Sequence, residues 1–169
     1  MSEEWVYHVD EEDIIIGKVS RKEMRAMNLL HRSVFTFVFN SRRELLVHRR
    51  TPTKNVYPHY YSLAFGGCLT YGENYDDGAQ RELAEEAGLK EAILVFLFGG
   101  IYNGPQSKSI GQVYTAVSDG PFSFQKEEVE SARFLSLEGV RKLIEKENVC
   151  PDDVQFFEEL LRRELWKGK

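Results

Sequence analysis

Apolar and polar positions along the chain divide it into short strands and four helical stretches. Val34–Phe39 (VFTFVF) and Leu45–Arg49 are rich in β-branched and aromatic residues, and the polar Asn40–Glu44 lies between them. That pattern predicts a hairpin. Residues 5–9 and 14–19 read as two short strands joined by the acidic DEED turn, and Ser20 with Glu23 forms a capping box for a short helix to about Asn28. Tyr60–Phe65, Ile93–Phe98, Gln112–Val117 and Ala132–Leu135 add strands. Tyr75–Ala87 reads as a helix, with Asn74 as N-cap, Asp76 and Asp77 in the first turn and Gly88 as a left-handed stop. Ala79, Leu83 and Ala87 make its narrow apolar stripe. Ser136 opens a further helix, and Pro151-Asp152-Asp153 starts another with Phe156, Phe157, Leu160 and Leu161 on its inner side. Strands mixed with a few helices indicate an α+β layered fold.

Length and composition narrow the picture. At 169 residues and 42% hydrophobic content, one core and one domain (1–169) are expected. The formal charge of −5 argues against a binder of nucleic-acid polymers while allowing a nucleotide substrate. Cys68 and Cys150 form neither a metal motif nor a disulfide framework, which suggests a reducing compartment. The acidic, polar N-terminus is unlike a signal peptide, and no apolar stretch is long enough to span a bilayer. A cytoplasmic protein with no membrane association is the expectation.

The chemistry concentrates in residues 67–89, GCLTYGENYDDGAQRELAEEAGL. Glu82, Glu85 and Glu86 are spaced i, i+3, i+4 and project from one helix face. Three carboxylates so placed repel one another unless a cation sits among them, and Mg2+ (or Mn2+) suits all-oxygen donors. An isolated E-x-x-E-E would be no more than a solvated acidic face. Here Gly67, Glu73, Arg81, Leu83, Gly88 and Leu89 complete the pattern G-x5-E-x7-R-E-L-x-E-E-x-G-L. On these residues the chain is identified as a member of the Nudix hydrolase family.

The resemblance implies an α/β/α sandwich with a mixed central sheet. Its parts are N-terminal strands and a short helix (1–30), the signature loop and helix (67–89) and C-terminal helices (136–166). It also implies that Glu73 and Arg81 hold the loop against the helix while Glu82, Glu85 and Glu86 bind metal. Gly67 allows a tight loop where a side chain would crowd metal or phosphate.

Residues 30–67 are similar to the branch holding isopentenyl-diphosphate isomerase and related Nudix hydrolases. The shared positions are His31, Arg32, Phe37, Phe39, Asn40, Arg49, Arg50, Lys54 and Pro58. Arg49, Arg50 and Lys54 cluster at a strand end, a placement suited to a diphosphate; the plainer reading is an exposed basic strand end. The isomerases carry an essential Cys where this chain has Gly66, and the strand 109–117 contains no carboxylate to serve as catalytic acid. Hydrolysis is therefore favoured over isomerisation, and Cys68 reads as a small packing residue. His31 reads as structural, and His8, His48 and His59 have no motif around them. Tyr57, Tyr60 and Tyr61 belong to the core or, with His59, to the wall of a substrate pocket.

The resulting expectation is a Mg2+-dependent pyrophosphohydrolase. Its small-molecule diphosphate substrate would be a nucleoside diphosphate or a nucleoside diphosphate linked to another group. Glu85 or Glu86 would be the general base within the signature, and Glu127 or Glu128 the distal alternatives. Competing readings are a prenyl diphosphate hydrolase or isomerase-like enzyme, and a non-catalytic Nudix-fold binding module. The N-terminal strands and aromatic C-terminal helix also suit a homodimer.

Overall fold

The computed structural model describes residues 2–166. Strands β1 (Trp5–Val9) and β2 (Ile15–Ser20) form an antiparallel pair, and α1 (Arg21–Ala26) follows at once. Ser20 Oγ accepts from the Glu23 backbone N–H at 3.1 Å, so the expected N-cap forms. The main sheet runs β5–β4–β3–β7–β6, with β8 paired to β4. Its members are β3 (His31–Phe39), β4 (Leu45–Arg50), β5 (Tyr61–Ser62), β6 (Val95–Asn103), β7 (Lys108–Val117) and β8 (Val129–Leu135). The helices are α2 (Tyr75–Ala87), α3 (Leu137–Lys146) and α4 (Pro151–Arg162).

Alternation along β3 builds the layers. Phe35, Phe37 and Phe39 pack with Val140 and Leu143 of α3 and Phe156, Phe157 and Leu160 of α4. Val34 joins Tyr7, Val9, Leu69 and Ala79, and Val38 joins Phe65, Leu83 and Ala87. The sheet therefore carries α3 and α4 on one face and α2 on the other, the α/β/α arrangement expected.

Three local expectations are corrected. The 34–49 segment is a hairpin only at its root: Phe39↔Leu45 is the one register pair of β3 with β4. Instead β3 runs parallel to β7 from His31↔Ser109 to Phe39↔Val117, and β4 runs antiparallel to β8. Eight of the nine β3 residues are buried, as suits a strand in the middle of a sheet covered on both faces. The strand expected over Tyr60–Phe65 shrinks to Tyr61–Ser62, because the Leu63 and Ala64 amides turn to the Asp153 carboxylate at 2.7 and 3.3 Å. The strand expected to stop at Phe98 continues to Asn103, through Gly99 and Gly100.

Among the described residues, no helix is long and apolar enough to cross a membrane.

Candidate active site

The signature segment folds as its residue types dictate. Asn74 Oδ1 accepts from Asp77 N–H at 2.8 Å, and Gly88 ends α2 at φ 74°, a left-handed conformation that favours glycine. Ala79, Leu83 and Ala87 are fully buried, which turns the opposite side of the helix toward the preceding loop. There Arg81 clasps Glu73 with two bonds, Nε–Oε1 at 2.7 Å and Nη2–Oε2 at 3.0 Å. Glu73 Oε2 also accepts from Thr70 N–H at 3.0 Å, so the loop is strapped to the helix.

The three remaining carboxylates sit in different surroundings. Glu85 is half-exposed and Glu82 mostly buried, and both reach Arg81 Nη1, at 3.3 and 2.8 Å. Glu86 is buried, and its Oε2 accepts from Gly66 N–H at 3.2 Å. Among the described residues no cationic side chain forms an ion pair with it. Burial first, and then the neighbouring Glu82, push its carboxyl up to about 8.

Two glycines fit against these groups. A Cβ on Gly67 would lie 2.9 Å from Glu82 Oε1. A Cβ on Gly66 would lie 1.9 Å from the Val34 carbonyl oxygen, so this loop has no room for a side chain at position 66. The absence of a cysteine there is thus built into the backbone path.

Glu86, Gly66 and Gly67 line a cavity of about 130 Å³ whose wall also carries Arg21, Arg25, Arg50 and Lys54. Arg50 spends its guanidinium on the backbone, donating to Tyr57 O at 3.2 Å and Val56 O at 2.9 Å. Lys54 is ion-paired with Glu128. Arg49 requires a correction: strand alternation turns it away from the cavity, where it pairs with Glu130 at 3.4 Å and lies over the Tyr61 ring. Of the distal acids, Glu128 is half-buried at the Lys54 ion pair, whereas the Glu127 side chain is exposed. Tyr57 is on the cavity wall and buried; Tyr60, Tyr61 and His59 are not part of that wall.

Sequence reasoning missed Arg21 and Arg25. They come from α1, and only the tertiary fold brings this helix to the signature loop. Arg21 is held by Glu4 at 2.7 Å, yet its Nε is buried with no hydrogen-bond partner among the described residues. Burial and the charge of Arg21 lower the pKa of Arg25. Two crowded guanidiniums on a cavity wall form a ready seat for an anion. Asp153 was also missed: it accepts from Ser62 Oγ at 2.5 Å as well as from the two amides, and so ties the start of α4 to the strand beside the site.

Among the described residues no group of three or more His, Cys, Asp or Glu side chains is arranged to hold a metal ion. Mg2+ does not require such a group, since it keeps waters and substrate phosphates and takes only one or two carboxylates. Buried Glu86, without a cationic partner among the described residues and beside Glu82, fits such an ion.

Comparison with known proteins gives the family. The NUDIX domain model matches residues 29–160. The chain belongs to the Nudix family of hydrolases. It is 42% identical over 156 residues to the uncharacterized Nudix hydrolase PA4841 of Pseudomonas aeruginosa, covering 90% of each chain. Its fold is similar to the crystal structure of DR0079 from Deinococcus radiodurans, with a TM-score of 0.78 and 26% identity over 95% of this chain and 98% of that one. The NUDIX domain of Shewanella oneidensis NrtR, solved with ADP ribose, shares the fold at a TM-score of 0.63 and 18% identity, covering 86% of this chain and 99% of that one.

Proposed function

We propose that this chain is a Mg2+-dependent pyrophosphohydrolase acting on a nucleoside diphosphate or a nucleoside diphosphate joined to another group. One observation carries the reading: Glu86 is buried, without an ionic partner among the described residues, on the wall of a cavity that also bears Arg21, Arg25, Arg50 and Lys54. One signature carboxylate for a cation and cations for phosphate face one space; Glu82 and Glu85 are not part of that wall.

Glu82, Glu85 and Glu86 would hold the metal. When bound, it supplies charge neutralisation at the phosphate oxygens and acidifies a coordinated water. Arg21 and Arg25 orient the anionic end of the substrate, and Arg81 fixes the loop through Glu73. Glu86 is the favoured acceptor for the proton of the attacking water, and Glu128, bound to Lys54, is the distal alternative. The nucleoside diphosphate-X class takes its support from the fold neighbour solved with ADP ribose. The clash at Gly66 argues against an isomerase that needs a cysteine there.

The test is a product screen with Mg2+ across nucleoside di- and triphosphates, nucleotide sugars, dinucleoside polyphosphates and prenyl diphosphates, with Glu86→Gln as control. Cleavage of a nucleotide class, reduced by orders of magnitude in the variant, is the expected result. Cleavage of prenyl diphosphates alone would replace the substrate class. Metal binding with no cleavage anywhere would favour a binding module.

A further inference from the structure

Backbone hydrogen bonds divide the signature loop between two supports. Its first half is zipped to β3: Val34 N–H donates to Gly67 O at 3.1 Å, Leu69 N–H donates to Arg32 O at 3.0 Å, and Ser33 pairs with Cys68. Its second half joins β1 instead. Val6 pairs with Thr70, Tyr71 N–H donates to Trp5 O at 2.8 Å, and Gly72 N–H donates to the Tyr7 hydroxyl oxygen at 2.8 Å. Glu73 follows at once and meets Arg81 in its two-bond clasp. The strand that carries the approach to Glu73 thus lies before residue 29, where the family match begins.

Tyr7 is itself held in place. It is 7% exposed, its ring centre lies 4.8 Å from that of Tyr71, and the Arg32 guanidinium sits 4.9 Å over the ring. Asp13, between β1 and β2, fixes Arg32 at 2.7 Å and accepts from the Tyr75 hydroxyl at the start of α2 at 3.0 Å. Gly72 needs such a fixed partner. Its φ is 96°, and a Cβ there would meet nothing within 4 Å among the described residues. Glycine therefore serves the turn and not a close approach, and it is the residue with the most backbone freedom to lose. The consequence falls on the carboxylates. One Arg81 guanidinium binds Glu73 through Nε and Nη2 and reaches Glu82 and Glu85 through Nη1. With Glu73 in place the guanidinium fork is committed to it. If the loop withdraws, Glu73 goes with it, and Arg81 turns to the two glutamates for which a divalent cation competes.

We propose that Tyr7 is a positioning residue of the metal site: its hydroxyl holds Gly72, Gly72 keeps Glu73 on Arg81, and Arg81 so occupied leaves Glu82 and Glu85 to the metal. The inference rests on the metal reading given above and adds to it a part for the N-terminal hairpin. Loop docking and cation binding are then coupled, and each strengthens the other.

The test uses the full chain. Tyr7→Phe keeps the ring and removes only the acceptor. Exchange of the Gly72 amide hydrogen, followed by NMR, should be about tenfold faster in the variant, the scale of one hydrogen bond. Mn2+ affinity, read by electron paramagnetic resonance, should fall about fivefold on the same scale. A second background decides the route. In Glu73→Gln the strap is already weakened, so adding Tyr7→Phe should change Mn2+ affinity by less than about twofold, a non-additivity that a purely structural role would not produce. The same fivefold loss in that background would overturn the route through Glu73. Unchanged Gly72 exchange in Tyr7→Phe would overturn the clamp. If Tyr7→Phe does not fold, the unaltered protein decides: Mg2+ should slow Gly72 exchange more than it slows the amides of α3, and equal slowing would overturn the coupling. A parent that binds no Mn2+ overturns the metal reading, and this proposal with it. Mn2+ bound equally by the parent and by folded Tyr7→Phe overturns this proposal alone.

Discussion

Arg81 holds Glu73, Glu82 and Glu85 together with one guanidinium, at 2.7, 2.8 and 3.3 Å. Removing it in Arg81→Ala frees the loop and leaves three carboxylates facing one another. The expected loss is about 1–2 kcal/mol, a figure already reduced for the solvent that reaches the group. Mg2+ should recover part of that loss by taking the place of the guanidinium, so the variant's melting temperature should rise with Mg2+ more than the parent's. Equal responses would place the metal elsewhere. His48 gives a pH prediction. It is buried against Phe65, and burial, with the charges of Arg50 and Lys54, lowers its pKa from 6.5 to about 3. Between those values the unfolded chain binds a proton that the folded chain refuses, so stability falls as pH drops from 6.5 toward 3. His48→Phe should lose less melting temperature between neutral pH and about pH 4.5 than the parent does; parallel losses would contradict it. At this scale the Glu73–Arg81 strap was an expectation carried by the family resemblance. The sequence did not separate Arg49 from Arg50, because which neighbour faces the cavity depends on which side of β4 the cavity lies.

Among the elements, α2 was legible from its caps and stripe because each is a local rule within thirteen residues. The pairing of β3 was not. Its central place depends on β7, more than seventy residues away in the chain, and the short polar turn after Phe39 reads locally as a hairpin. Continuation of β6 was hidden by Gly99 and Gly100, which read as a break. In the fold Gly100 faces Gly111 across β6 and β7, and Phe156 of α4 lies over the pair. A Cβ on Gly111 would come 2.9 Å from both Phe156 and Phe35. Gly111→Ala should therefore cost about 1–3 kcal/mol by overpacking, read by denaturant unfolding. Adding Phe156→Leu should return part of it; a neutral Gly111→Ala would mean that α4 packs more loosely than described.

Across the whole molecule, the cavity draws on α1, β3, β4, the signature loop, α2 and the start of α4. The family match begins at residue 29, so Arg21 and Arg25 come from a segment outside it. Such a wall is invisible to motif reading, since nothing local in SRKEMR says that two of its side chains will line the same cavity as a glutamate sixty residues on. Arg25→Gln should raise the KM for a diphosphate substrate about tenfold with little effect on kcat, while Arg49→Gln leaves both alone. A larger effect at Arg49 than at Arg25 would reverse the assignment of the wall. The central claim is that the signature carboxylates hold a divalent cation facing these arginines. Mn2+ binding measured by electron paramagnetic resonance, in the parent and in Glu86→Gln, tests it most directly. The account predicts a bound ion whose affinity falls about tenfold or more in the variant while the fold is kept. Equal Mn2+ affinity in the two folded proteins would contradict it.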